Sequence, residues 1–433
     1  MSPAEPASTD VMPDSLLTLD AEKPTAGGRM LARHNGQVVL VWGAIPGERV
    51  RARIERSGKG VLFAETVDVV TPSPDRRDAA ADWRCGGNVL AHVTYDRQLQ
   101  LKADIVRDAF TRIGRMPLDS APDVLASPEQ GYRMRARLHV RGGRIGFMRE
   151  GSHEICAVGP TAQMLPATAA WIEAAEQRLR ADGLRGLTSI EIAENIPATE
   201  RACHLELEPG SDARPFAALA TDGITGLSAQ VLDRRASETL SGVAAVSDAL
   251  GTLQLRRDAR AFFQGNRYLL ESLVQRVGVL VPEGPVTDLY AGVGLFGLSL
   301  AAATGAQVTL VEGDAVSGHD LEENARPYAE RARVVRTSVE DFLRHDKPAA
   351  DETFLVDPPR TGMSPDAMRA IVRLRPPRIV YVSCDVATLA RDARTLVDAD
   401  YSLTHLSGID LFPNTAHVET LAAFDIDAAV RRT

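Results

Sequence analysis

Residues 286–298 read VTDLYAGVGLFGL, a short apolar run that breaks after Tyr290 into Gly292-Val-Gly294-Leu-Phe-Gly297. That order predicts a buried strand, a glycine turn where backbone can approach a nucleotide, and the start of a helix. Further apolar runs follow at 308–311, 353–356, 378–382, 401–406 and 420–426, with helical periodicity between them. Strands alternating with helices specify a doubly wound α/β sheet, with ligands at the C-terminal ends of its strands. Glu312 follows the second run at the distance where an acid takes ribose hydroxyls. Taken alone, the turn and this acid suit a nicotinamide dinucleotide as well as S-adenosyl-L-methionine. A nicotinamide-dependent oxidoreductase therefore stays open at this point.

The later strand ends carry chemistry that a dehydrogenase leaves unexplained. Residues 357–362, DPPRTG, set a carboxylate, Asp357, and a stiff backbone against the same rim. Methyltransferases that act on nucleic-acid amines place an aromatic after such prolines, and Arg360 in that slot points away from amine chemistry. Cys384 follows the apolar run RIVYVS and precedes a helix with Leu389, Ala393, Leu396 and Val397 on one face. A lone cysteine is more often an inert core residue. A helix N-terminus at a functional rim, however, favours the reactive thiolate. Cys85, Cys156 and Cys203 have no comparable setting. In FPNTAHVET (412–420), His417 and Glu419 flank Val418, and extended backbone places both on one side. A satisfied structural histidine and a surface glutamate are the plainer reading. Gln264, within FFQGN, is either a helix-start residue or a ligand contact.

The chain has 433 residues and a net charge of −9. That length predicts two or three domains. An acidic surface repels polyanions, so nucleic-acid binding needs a local basic patch. Residues 131–149 supply one, with Arg133, Arg135, Arg137, Arg141, Arg144 and Arg149 and no carboxylate among them. They read as two strands joined by a Gly-Gly turn, with Arg133, Arg135 and Arg137 alternating onto one face. That face is either a solvated edge or a grip on phosphates. Short alternating runs at 16–19, 37–42, 48–56 and 62–70 predict a small all-β barrel, followed by a linker at 71–74. An amphipathic helix is expected over 95–114. Scattered cysteines without a disulfide framework suit a reducing cytoplasm. No apolar run approaches the roughly 20 residues of a membrane span, and residues 1–20 lack the pattern of a signal peptide.

Together FFQGN, DLYAGVGLFGL, VEG, VDPPRTG, IVYVSCD and FPNTAHVET, in that order over 262–424, resemble the RNA uridine-5-methyltransferase family. Residues 15–72, GAIPGERVRARI above all, resemble a TRAM domain, a small OB-like barrel associated with RNA modification. The chain then divides into a disordered tail (1–14), a TRAM-like barrel (15–72), a central α+β RNA-binding region (73–261) and a Rossmann-like methyltransferase domain (262–433). The resemblance implies that Cys384 is the nucleophile and Glu419 the base. It implies S-adenosyl-L-methionine contacts at Gln264, Tyr290, Glu312 and Asp357, beside Gly292 and Gly294 of the turn. Leu295 and Ser338 stand where family members carry asparagine, with Ser338 at a cofactor-contacting position. Members with the barrel typically modify 23S ribosomal RNA, so a cytoplasmic, monomeric enzyme acting on a large-subunit uridine is expected. Transfer RNA is the alternative substrate, and a catalytically silent RNA binder the alternative class. Ribosomal members often hold an iron–sulfur cluster on four cysteines. Here Cys85 matches, while Ala79, Asn88 and Thr161 occupy the other positions and Cys156 lies out of place. One thiolate cannot hold such a cluster, so no metal is expected, with packing keeping the local fold.

Overall fold

Alternating side chains near the N-terminus build a six-stranded sheet. Its strands are β1 (Leu16–Asp20), β2 (Lys23–Pro24), β3 (Met30–His34), β4 (Gln37–Trp42), β5 (Arg49–Gly58) and β6 (Val61–Thr71). They lie in the order β1-β5-β6-β4-β3-β2. The computed structural model describes residues 12–79, 82–221, 223–234, 236–345, 349 and 351–427; the tail expected over 1–14 lies outside these except for 12–14. On β5 the period of two sends Val50, Ala52 and Ile54 inward and Arg49, Arg51 and Arg53 outward. β3 shows no such alternation, because Met30, Leu31 and Ala32 are all buried, and it escaped the sequence reading. The expected linker is tied down. Buried Glu48 accepts from the Ser73 N–H (3.1 Å) and from Arg76 Nε (2.6 Å).

Next come α1 (Tyr95–Arg112), which buries Leu101, Ile105, Val106 and Phe110, and the short β7 (Val124–Leu125). A seven-stranded sheet follows: β8 (Arg135–Arg141), β9 (Arg144–Met148), β10 (Ile155–Cys156), β11 (Leu187–Glu194), β12 (Arg201–Leu207), β13 (Gly226–Val231) and β14 (Glu238–Gly242). Helix α2 (Pro166–Ala181) packs on it, and the hairpin of β15 (Ala245–Leu250) and β16 (Leu253–Asp258) leads onward. The expected Gly-Gly turn joins β8 to β9, with Gly142 and Gly143 both left-handed.

Two expectations fail here, both because the decisive partners are distant in sequence. The arginines of β8 do not form a bare cationic face. Glu191 of β11 pairs with Arg135 (2.9 Å), Glu206 of β12 pairs with Arg137, and Arg149 meets Asp82 (2.6 Å). Nor does packing alone hold the segment around Cys85. Strand register sets Cys156 opposite Phe147, an isolated bridge sets Cys85 beside Arg149, and the two cysteines form a disulfide with Cα atoms 5.9 Å apart.

The last layer holds β17 (Val286–Leu289), β18 (Val308–Glu312), β19 (Ala332–Arg336), β20 (Thr353–Val356), β21 (Arg378–Ser383), β22 (Tyr401–Ile409) and β23 (Glu419–Ile426). Helices α3 (Leu270–Leu280), α4 (Leu295–Thr304), α5 (Ala315–Ala325), α6 (Val339–His345), α7 (Pro365–Leu374) and α8 (Val386–Asp398) connect and cover them. The order β19-β18-β17-β20-β21-β23-β22-β7 is parallel as far as β21, after which β23 runs antiparallel. Strand order reverses between β17 and β20, the place where such sheets bind ligands. β19, a short run at the edge, was missed in the sequence. β7 and α1, from upstream, complete this layer: β7 pairs with β22, and α1 packs on α8. Among the described residues no helix is long and apolar enough to cross a membrane.

Fully buried Lys102 of α1 pairs with Asp410, just past β22, and donates to the Phe412 carbonyl (2.9 Å). Asp410→Ala strands an ammonium in the interior and is expected to cost about 3–5 kcal/mol. Denaturant unfolding checks this; a loss below about 1 kcal/mol would mean the pair is not the tie between α1 and the loop that follows β22.

Candidate active site

Register brings the site together. Leu289 pairs with both Val311 and Val356, so Tyr290, Glu312 and Asp357 leave the sheet at one rim. Val356 pairs with Tyr381, so β21 runs on to Ser383 and delivers Cys384 just beyond. Ser383 faces Thr420 of antiparallel β23, which makes Cys384 and Glu419 neighbours across that strand pair.

The glycine turn is open above Gly292, where a Cβ would meet nothing within 4 Å, and tightly packed behind Gly294 and Gly297. Gly294 is left-handed (φ +98°), and a Cβ there would come within 2.5 Å of Leu298 Cδ1. Glu312 accepts from the Gly292 N–H (2.7 Å) and the Asp314 N–H (2.6 Å), so its carboxylate is held in place with lone pairs to spare. Tyr290 is held left-handed at φ +64°, a strained conformation for a tyrosine. Asp288 was passed over in the sequence, although an acid inside the apolar strand VTDL was a usable signal. It is fully buried, accepts from the Gly297 N–H (2.9 Å), and is pushed up to about 8 by burial. It anchors the helix start beneath the turn. Gln264 donates to Asp357 (3.1 Å) from a buried position. Ser338 is engaged elsewhere: its hydroxyl bonds the Asp341 carboxylate (2.8 Å) and backbone N–H (3.1 Å) and starts α6. These residues fit a nucleoside: an open glycine cradle, an acid poised for a ribose diol, and an amide–carboxyl pair beyond.

The electrostatics overturn one expectation. Burial, then the neighbouring Glu419 and Asp357, push the Cys384 thiol up to about 12, while Arg360 pulls the other way. A helix terminus contributes about 0.3–1 kcal/mol, less than one pKa step. It is outweighed here. Burial pushes Asp357 up to about 7, against the hydrogen bond from Gln264. Glu419 is 1% exposed, neither carboxyl oxygen has a hydrogen-bond partner, and burial with Asp357 raises it well above the carboxylate range. A buried carboxyl left unbonded is costly, and such groups concentrate where a ligand completes them. Behind the rim, Asp392 of α8 accepts from Tyr381 (2.8 Å) and from the Met363 N–H (3.0 Å), clamping the DPPRTG loop.

A cavity of about 440 Å³ lies where the barrel, the central sheet and these loops meet, lined by Trp42, Arg133, Arg137, Arg360 and His417 among others. The His417 ring is exposed to it but crowded by protein. Burial, then Arg360, Lys102 and Arg133, hold the imidazole neutral, pulled down to about 4. The expected pairing of His417 with Glu419 therefore divides into an exposed ring and an enclosed carboxyl. Of the three candidate arginines, Arg133, which precedes β8, and Arg137 line the cavity, whereas Arg135 is held by Glu191 and by the Ala261 carbonyl (3.1 Å).

Comparison with known proteins agrees with this geometry. Residues 252–424 match the tRNA (uracil-5-)-methyltransferase family, and residues 16–67 match the TRAM domain. A 23S rRNA (uracil(1939)-C(5))-methyltransferase of Pseudomonas putida is 31% identical, over 94% of this chain and 93% of its own. An RNA methyltransferase of Nitratidesulfovibrio vulgaris is 32% identical over 94% of each chain. The solved structure of Pyrococcus abyssi tRNA (uracil-54, C5)-methyltransferase with S-adenosyl-L-homocysteine shares the fold. Its TM-score is 0.76, over 94% of this chain and 99% of that one, at 23% identity. The fold is that of an S-adenosyl-L-methionine-dependent methyltransferase. The chain belongs to the RNA (uracil-5-)-methyltransferase family.

The raised carboxyls set a pH signature for the protein without ligands. Asp357 binds its proton more tightly when folded (about 7) than at its ordinary value of 3.8, so stability falls as pH rises between those values. Glu419 acts in the same direction. Asp357→Asn is expected to flatten, though not abolish, the fall in calorimetric Tm across this window. An unchanged slope would show that Asp357 ionises without penalty.

Proposed function

We propose that the protein methylates carbon 5 of a uridine in 23S rRNA through a covalent bond between Cys384 and carbon 6. The observation that carries this reading is Cys384 lying across the strand pair from Glu419, a buried carboxyl without a partner. Carbon 5 of uracil is a weak nucleophile. Addition of the Cys384 thiolate to carbon 6 leaves an enolate whose carbon 5 is a strong one. S-adenosyl-L-methionine supplies the methyl group on a sulfonium, a cation suited to this acidic rim. Glu419 then takes the carbon 5 proton, the C5–H electron pair re-forms the ring double bond, and the Cys384–C6 bond breaks to return the thiolate. A carboxylate whose proton affinity burial has raised is a stronger base than an exposed one.

Gln264, Tyr290, Gly292, Gly294 and Glu312 hold the cofactor in this reading. Asp357 orients cofactor or base, and Ser338 acts through the start of α6. The uridine must leave its stack to expose both carbons. Arg133 and Arg137 then take phosphates at the cavity, with Arg135 shaping its wall. Large-subunit RNA is favoured by the Pseudomonas relative, which aligns along nearly the whole chain with the TRAM domain included. Transfer RNA is the second reading, favoured by the family match over 252–424. A cytoplasmic monomer completes the proposal.

Incubation with methyl-labelled S-adenosyl-L-methionine and separate pools of unmodified 23S rRNA and transfer RNA tests it. The expected product is 5-methyluridine in 23S rRNA, reduced about 10³-fold or more by Cys384→Ala. Glu419→Gln should stall after methyl transfer and leave protein joined to RNA on a denaturing gel. Label confined to transfer RNA would overturn the substrate, and label persisting in Cys384→Ala would overturn the covalent route.

The single-turnover rate should also climb from about pH 6 to about pH 8, because thiol and carboxyl must both be ionised to act. A falling or flat profile would contradict those roles.

A further inference from the structure

A second cavity, of about 640 Å³, lies away from the catalytic rim, and both cysteines of the Cys85–Cys156 disulfide line it. Arg141, Arg144 and His153 line it as well, as does Arg149, which pairs with both carboxylates of the lining, Asp82 and Glu154. Arg141 and Arg144 are exposed and, among the described residues, hold no salt bridge, unlike Arg135 and Arg137 of β8. We propose that this cavity is a thiol–disulfide exchange site for a small, carboxylate-bearing thiol, and that the state of the cysteine pair sets the grip on RNA. The second half rests on the reading of the 440 Å³ cavity, lined by Arg133 and Arg137, as an RNA site.

Cys156 is half-buried and Cys85 is 1% exposed, so the reagent reaches Cys156. Its thiolate attacks the Cys156 sulfur and expels Cys85 as a thiolate. A second small thiol attacks the reagent's sulfur in that mixed disulfide and releases Cys156. Two small thiols thus lose two electrons and two protons to become one small disulfide, and both cysteines end as thiols. The reverse reaction, with a small disulfide as oxidant, closes the pair. Unpaired guanidiniums attract an anionic reagent and favour the thiolate forms on which exchange depends.

A chain of contacts runs from the disulfide to the other cavity. The Gly86 N–H donates to the Met148 carbonyl (2.9 Å). Gly87 lies so close to Gln163 that a Cβ there would come within 2.6 Å of its amide. Gln163 Oε1 in turn accepts from Arg133 Nη1 (2.5 Å) and the Tyr132 hydroxyl (3.3 Å). Gly86, Gly87 and Arg133 all line the 440 Å³ cavity beside Arg360 and His417. With the disulfide closed, Cys85 fixes the Gly-Gly segment, the segment fixes Gln163, and Gln163 fixes Arg133. Opening the bond removes the covalent tie and leaves the segment on packing and backbone hydrogen bonds. Arg133 must then be ordered as RNA binds, an entropic loss equivalent to about tenfold in affinity.

The test uses the full-length Cys384→Ala protein, so that no reagent acts on the nucleophile and binding is read without turnover. Thiol alkylation followed by mass spectrometry reads the pair. Glutathione should open it about fivefold faster per thiolate than neutral 2-mercaptoethanol at low salt, and Arg141→Ala/Arg144→Ala should erase that preference. Affinity for a 23S rRNA fragment should fall about tenfold on reduction and return with glutathione disulfide. Cys85→Ser in the same background should bind at the lower affinity whatever the redox state, with a melting curve to confirm folding. Absence of the disulfide after oxidation, or equal rates for the two thiols, would overturn the exchange site. An affinity indifferent to redox state, or a response that survives Cys85→Ser, would overturn the coupling. RNA that binds in neither state would instead refute the functional reading, with the exchange rates still judging the site.

Discussion

Glu419 is buried with both carboxyl oxygens unbonded, and half-buried Asp357 and Cys384 stand beside it. Burial opposes the ionising of all three, and neighbouring carboxyls oppose it further at Cys384 and Glu419. Without ligands the site therefore favours the neutral forms of Cys384 and Glu419, with Arg360 the cation whose charge reaches both. A ligand that brings positive charge and hydrogen-bond donors changes that balance. A site so arranged is poised by what binds it rather than permanently activated.

Holding such an arrangement requires rigid surroundings, and these come from every layer. Antiparallel pairing of β21 with β23 sets Cys384 beside Glu419. Asp392 clamps the DPPRTG loop, and Asp288 fixes the start of α4 under the glycine cradle. From outside the layer, Lys102 and Tyr95 of α1 hold Asp410 and so the loop carrying His417. Buried Arg267, after FFQGN, joins Glu194 of the central sheet (2.5 Å). The catalytic rim is thus built jointly with upstream segments, and the same junctions enclose the cavity assigned to RNA.

Much of this was legible in the chain. Alternation betrayed β4 and β5, unbroken apolar runs betrayed β20 and β21, and the glycine turn, the prolines after Asp357 and the strand before Cys384 located the rim. What escaped has physical causes. β3 is buried on both faces and loses its alternation, while β19 is a brief edge strand. The neutralising of Arg135 and Arg137 depends on acids more than 50 residues away, and the Cys85–Cys156 bond spans a separation of 71. Local sequence carries neither. The direction of the Cys384 shift is a three-dimensional sum, in which desolvation and two carboxyls outweigh the one local feature, a helix start, that the sequence displays.

The claim on which the rest depends is that Cys384 bonds to the target base while Glu419 waits for a proton at carbon 5. RNA carrying 5-fluorouridine tests this directly, since fluorine replaces the proton that Glu419 must remove and the enzyme cannot let go after methyl transfer. Incubated with such RNA and S-adenosyl-L-methionine, the protein should become joined to RNA in a form that survives denaturation, with the linked nucleotide mapped by mass spectrometry to the peptide containing Cys384. An enzyme that methylates ordinary RNA yet forms no such adduct, or forms it at another residue, would contradict the assignment.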